Sequence, residues 1–268
     1  MKSESHSLTA LRASRLLSCV ALTAALGVLS VRLYDAVELG NYLALVMTPQ
    51  SALCIATLAL AALAVSVPRS WAQRLGQLLA VLSCAFALPS GLAASLDAWL
   101  ATAPLQTPPV ADVTGLSGAA SIMYSATALA LFFVPLRGRL GTQLFATFAA
   151  LGLLATATSL IGMLLDSPTL ASLGFAHLPT VLANVMAGLL LLATLALRRD
   201  AGWLSVLLGP TAAGSSARGI IAWTVLAPLT FAALALAGVR EGIYSLHFAF
   251  ALLAAAMCCG LTALVMWN

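Results

Sequence analysis

The residues best equipped for chemistry stand together in "GVREGIYSLHFAFALL", Gly238 to Leu253, where Arg240, Glu241, Tyr244 and His247 fall within eight positions. Tyr244 and His247 are three apart and share a helix face, and Arg240 lies four residues before Tyr244, so one stripe presents a cation, a phenol and an imidazole. Such a stripe suits recognition of a polar stimulus. The bland alternative is that charged groups near a helix end snorkel into water, and both readings stand. His177 and His247 raise a second chemistry, because two histidines at equal depth on different helices can hold a b-type haem. His177 stands two residues before Pro179, which favours a loop over a rigid ligand position. Either histidine, with a reference pKa of ~6.5, is also a candidate sensor of pH.

The elements that position these residues follow from composition. Of 268 residues, 62% are hydrophobic and 7% charged, against about 45–50% and about 25% in an ordinary soluble domain. A soluble globule of this makeup exposes large apolar patches, whereas lipid accommodates them. Runs of about 20 apolar residues cross a ~30 Å hydrocarbon core as helices. Eight such runs are predicted, over 15–34, 49–67, 73–96, 117–136, 140–164, 178–197, 218–238 and 244–267. Their continuity, without alternation, excludes barrel strands. The predicted fold class is therefore all-α, a polytopic membrane bundle of eight transmembrane helices, with a tail over 1–14 and a membrane domain over 15–268.

Basic residues set the orientation. Lys2, Arg12, Arg15, Arg69, Arg74, Arg137, Arg139, Arg198, Arg199 and Arg218 fall on the side of the N-terminus, and Arg32 and Arg240 on the other. Both termini are expected in the cytoplasm of a bacterial inner membrane. The net charge of +4 is explained by a basic rim facing anionic lipid, so no nucleic-acid partner is implied. The remaining polar groups gather at the outer helix ends: Tyr34, Asp35 and Glu38 after the first run, Asp97 after the third, Asp166 and His177 between the fifth and sixth, and the Arg240 group at the eighth. Asp35, Glu38, His177, Arg240, Glu241, Tyr244 and His247 are the candidate ligand-binding or sensing residues.

No P-loop, H-E-x-x-H or G-x-S-x-G signature occurs, and no acidic residue lies deep in a run. The chain is expected to carry no catalytic residue, no metal and no cofactor. Cys19, Cys54, Cys84, Cys258 and Cys259 lack metal-like spacing and are expected as buried apolar thiols. Asn184, well inside the sixth run, is expected to hydrogen-bond a neighbouring helix.

"SALCIATLALAAL" (51–63), "SIMYSATALALFF" (121–133) and "TVLANVMAGLLLL" (180–192) share a leading hydroxyl residue, an aliphatic pair and later small residues. Internal duplication and chance similarity both fit this pattern. Ala183 and Ala187, four apart, suit close helix approach within one chain or between copies.

"TPQSALCIATLALAAL", "RLGQLLAVLSCAFAL" with its echo "RLGTQLFATFAALGLL", "HLPTVLANVMAGLLLL" followed by "ALRRDAGWLSVLLGP", and "VREGIYSLHFAFALL" leading to "VMWN" carry a family resemblance. Their order resembles the N-terminal multispan input region ahead of PAS and kinase modules in bacterial sensor histidine kinases. The resemblance implies a homodimer that relays a stimulus through the last helix to a cytoplasmic PAS or kinase output module, fused or separate. The given sequence ends at Asn268 without a phosphoacceptor or nucleotide-binding motif, so kinase chemistry is not carried over. The rival expectations are a small-molecule transporter or carrier, argued from the weak repetition among the runs at 51–63, 121–133 and 180–192, and a haem-binding redox protein.

Overall fold

The computed structural model describes residues 2–33, 47–101, 116, 118–165, 181–198, 204–205 and 214–215, with side-chain surroundings for 9–30, 47–89, 116, 118–160, 181–198, 204–205 and 214–215. The chain divides into two units, Met1–Ala201 and Gly202–Asn268. All six described elements of the first unit are helices: α1 Lys2–Leu33, α2 Pro49–Val65, α3 Ser70–Ala101, α4 Gly118–Phe133, α5 Arg139–Leu165 and α6 Val181–Leu197. They coincide with the first six predicted runs. The runs at 218–238 and 244–267 lie outside the described residues.

Local sequence explains the boundaries. Thr48 caps α2, its Oγ1 accepting from the Ser51 N–H at 3.2 Å, and Pro49 occupies the first turn, where a missing N–H costs nothing. Ser66 closes α2 with its N–H on the Ala62 carbonyl at 3.0 Å. "VPRS" and "VPLRG" then turn the chain into α3 and α5. α1 starts at Lys2, well before the apolar run: polar residues such as Glu4 and Ser5 extend a helix without contributing to hydropathy.

The packing sorts the helices into two kinds. α2, α4 and α6 touch one another in the middle; α1 fills the groove between α6 and α2, α3 that between α2 and α4, and α5 that between α4 and α6. Three consecutive hairpins, each an outer helix followed by an inner one, thus close into a ring. The inner helices are buried on most of their circumference, while the outer ones bury one narrow stripe: Ser14, Ser18, Ala21, Ala25 and Val28 in α1; Ala72, Gly76, Ala80, Ser83 and Ala87 in α3; Gly141, Phe145, Ala149, Gly152 and Thr156 in α5. These stripes are made mostly of small residues, which allow close backbone approach where dispersion drives association in lipid. The α3 and α5 stripes have the same spacing, so Gly76 corresponds to Phe145. The "RLG" echo, which pairs Gly76 with Gly141, is therefore one helical turn out of structural register.

The opposite face of each outer helix is apolar and exposed: Leu16, Val20 and Leu26 on α1; Trp71, Leu75, Leu78, Leu82 and Phe86 on α3; Leu140, Leu144, Leu151 and Leu154 on α5. Three helical segments are long and apolar enough to cross a membrane, Thr9–Ser30, Ser70–Pro89 and Arg139–Leu160. The inner helices have 17, 16 and 17 residues and rise only about 24–26 Å at 1.5 Å per residue. By length and composition the described residues thus supply three crossings where the sequence predicts six.

Ala183 and Ala187 are each 1% exposed and belong to the core of the single chain, so their spacing serves packing within it. Cys54 and Cys84 are buried as expected, but Cys19 is exposed. It lies on α1 between Leu16 and Val20, on the face turned away from the bundle. A lipid-soluble maleimide should therefore label Cys19 well ahead of Cys54 and Cys84 in the native protein, as read by peptide mass mapping.

Candidate functional site

The candidate residues Asp35, Glu38, His177, Arg240, Glu241, Tyr244 and His247 lie outside the described residues. The described part contains two polar assemblies instead, one at each end of the inner helices.

At the end where the inner helices stop, arginine and glutamine side chains tie the hairpins together. Arg15 of α1 donates from Nε to Ser66 Oγ at 3.0 Å and from Nη2 to the Ser66 carbonyl at 3.1 Å, capping α2. Gln77 of α3 donates from Nε2 to the Phe132 carbonyl at 3.1 Å, at the end of α4. Arg198, just past α6, is 7% exposed. It donates from Nη1 to the Phe133 carbonyl at 2.8 Å and from Nη2 to Thr142 Oγ1 at 2.7 Å, and lies 5.6 Å from the centroid of the Phe145 ring. Phe133 also stacks on Phe148 with centroids 5.8 Å apart. Cations at helix C-termini meet carbonyls that have no intrahelical donor, and the helix dipole favours them there. Arg15 and Arg198 thus lie at one end of the bundle, where the turns that join α2 to α3 and α4 to α5 also bring Arg69, Arg74, Arg137 and Arg139, with Arg12 one turn before Arg15 on α1.

Nearer the other end lies a second assembly, at the junction of α2, α3 and α4. Tyr124, six residues into α4, is 0% exposed. Its hydroxyl lies beside Ser51 and Cys54 of α2, without a hydrogen bond of good geometry among the described residues. The Cys54 thiol lies beside Ser83 of α3, and the Cys84 thiol beside Ser125 of α4. The Ser83 and Ser125 hydroxyls have these weakly bonding thiols as neighbours and make no hydrogen bond of good geometry among the described residues. Ser51 is engaged, receiving the Thr48 hydroxyl at 2.9 Å, and Ser121 donates to the Ala87 carbonyl at 2.6 Å. The buried threonines behave differently: Thr127, Thr156 and Thr194 each return their hydroxyl to a carbonyl of their own helix at 2.7–2.8 Å.

Asn184, the polar residue singled out within the sixth run, is fully buried on α6. When the runs at 51–63, 121–133 and 180–192 are aligned, it follows the position equivalent to Cys54 and Tyr124. Tyr124 itself carried no weight in that reading, because a lone aromatic in an apolar run looks like core. Its distinguishing feature is a fully buried hydroxyl, which only packing reveals.

No group of three or more metal-ligating side chains occurs among the described residues. Comparison with known proteins finds no matching family model, curated protein or solved structure. What fold and site together define is a helical bundle of three hairpins whose apolar exterior is consistent with a membrane.

Proposed function

We propose that the chain is a membrane-embedded sensory region of a bacterial signalling protein. In this reading it crosses the inner membrane eight times, with both termini in the cytoplasm. It relays a periplasmic or intramembrane stimulus through its last helix to a PAS or kinase output module, fused or separate, and acts as a homodimer. The observation that carries the reading is the gathering of seven arginines at one end of the ring, which supports a cytoplasmic placement of that end. The short inner helices are compatible with crossing, since the outer helices surround them and their ends need not meet lipid directly. Relay requires two packings only a few kcal/mol apart that a stimulus biases by differential binding. Ring contacts built from small residues and end-on polar clasps are suited to such shifts.

Two measurements test this proposal. A reporter fused after Asn268 should report a cytoplasmic location; a periplasmic signal rejects the topology. Joined to its native downstream sequence in vesicles, the region should support autophosphorylation that changes when Arg240, Glu241, Tyr244 and His247 are substituted. Unchanged signalling by folded variants rejects the role of those residues.

The repetition of three hairpins also favours a second reading, a small-molecule carrier, because internal repeats are a recurring basis of transporter folds. Solute uptake by proteoliposomes without any output module separates it from the first.

A further inference from the structure

We propose that the basic end of the ring is a binding surface for the headgroups of anionic phospholipids, with its best-defined site at Arg69, Trp71 and Arg74, where α3 begins. The site rests on the membrane placement proposed above and adds the class of lipid that this end selects.

Charge complementarity carries the inference. Arg12, Arg15, Arg69, Arg74, Arg137 and Arg139 are all exposed, and no Asp or Glu occurs among the residues whose side-chain surroundings are described. Within the described helices, Glu4 stands about 12 Å along α1 from Arg12, and Asp97 about 35 Å along α3 from Arg74, toward the opposite end. Both separations exceed the screening length of about 8 Å at physiological salt. An arginine at a lipid surface favours an anionic over a neutral neighbour about fivefold. Phosphate alone does not meet the demand: in a zwitterionic lipid it carries its own ammonium, so a cluster of like charges discriminates by net charge.

Placement turns this field into a site. On each outer helix a guanidinium adjoins an exposed apolar side chain. Arg12 lies one turn ahead of Leu16 on α1, Arg74 follows Trp71 by three residues and precedes Leu78 by four on α3, and Arg139 directly precedes Leu140 on α5. Leu16, Trp71, Leu78 and Leu140 are 62–74% exposed. An arginine so placed lays its stem along acyl chains and holds its fork at the depth of the phosphates, which it can bind in bidentate fashion. Trp71 suits the same interfacial depth, and Arg69, in the turn ahead of α3, adds a second cation beside it.

The test places the whole protein in phosphatidylcholine vesicles containing a fixed minor fraction of either phosphatidylglycerol or phosphatidylcholine brominated on its acyl chains. Bromine quenches tryptophan at close range, and Trp71→Phe subtracts the signal of the other four tryptophans. Both lipids should quench Trp71, with the brominated phosphatidylglycerol enriched about two- to fivefold over the brominated phosphatidylcholine. The enrichment should vanish in Arg69→Gln/Arg74→Gln and survive in Arg69→Lys/Arg74→Lys, which keeps the charge. Equal quenching by the two lipids, or an enrichment that persists in the glutamine pair, overturns the site and leaves the membrane placement standing. Quenching by neither lipid removes both. Loss of the enrichment on adding inorganic phosphate at constant ionic strength assigns the arginines to a soluble anion and likewise overturns the proposal.

Discussion

Replacing Arg198 by alanine should lower the stability of the bundle by about 2–3 kcal/mol, the range set by loss of charge-assisted hydrogen bonds in a buried setting. The guanidinium joins three parts of the ring at once, by bonds to the end of α4 and the start of α5 from its own place behind α6. Without it the Phe133 carbonyl keeps the Leu136 N–H at 3.1 Å, but the tie between the second and third hairpins is gone. Arg198→Lys should restore little, since one ammonium cannot reproduce the two-pronged geometry or the contact with Phe145. Unfolding in graded denaturing detergent, followed by tryptophan fluorescence, measures both variants. Equal stability of wild type and Arg198→Ala would show that the clasp holds nothing.

Gly76→Val should be at least as damaging, at about 2–4 kcal/mol, through overpacking. A Cβ at Gly76 would stand 2.6 Å from Val65 Cγ2, 2.9 Å from the Ala61 carbonyl oxygen and 3.1 Å from the Val65 nitrogen. Two of these are backbone atoms of α2 that no rotamer change can move, so α3 must lift off its groove. Gly27→Ala is the control, because a Cβ there meets nothing within 4 Å; it should melt within about 0.5 kcal/mol of wild type or slightly above it, alanine being the better helix former. The same unfolding assay ranks the pair.

Much of the helical order was legible in sequence, because continuous apolar runs punctuated by Thr48-Pro49, Pro68-Arg69 and Arg137-Gly138 leave few ways to partition the chain. The sorting into inner and outer helices was not. Hydropathy responds alike to lipid and to a protein interior, and α2, α4 and α6 differ from their neighbours chiefly in length and in burial on nearly every side. The resemblance among the runs beginning at Ser51, Ser121 and Thr180 was the usable clue: the first two lie wholly on an inner helix and the third from Val181 onward. Its partner pattern on the outer helices lies in the spacing of small residues, at 72, 76, 80, 83 and 87 and again at 141, 145, 149, 152 and 156. The eye goes instead to "RLG", where the match is one turn displaced.

For the site, charge was the guide and it pointed to loops and to the eighth run. Arginines at run boundaries were read as topology signals, which did not anticipate that Arg15 and Arg198 would reach across to cap other helices. Tyr124, Ser83 and Ser125 gave no such cue, since hydroxyls in apolar runs usually bond to their own helix. Whether one pairs locally or faces a junction is decided by contacts far apart in sequence.

The contact of α1 with α6 bears on biogenesis. α1 leaves the ribosome before the five helices that follow it, yet one of the two walls of its groove is not made until synthesis has passed Leu197. Until then its stripe of Ser14, Ser18, Ala21 and Ala25 has only α2 to rest against, and insertion machinery or a chaperone must shelter the other side. A nascent chain arrested before α6 should consequently cross-link through α1 to such factors, and lose that adduct once the sixth helix is delivered.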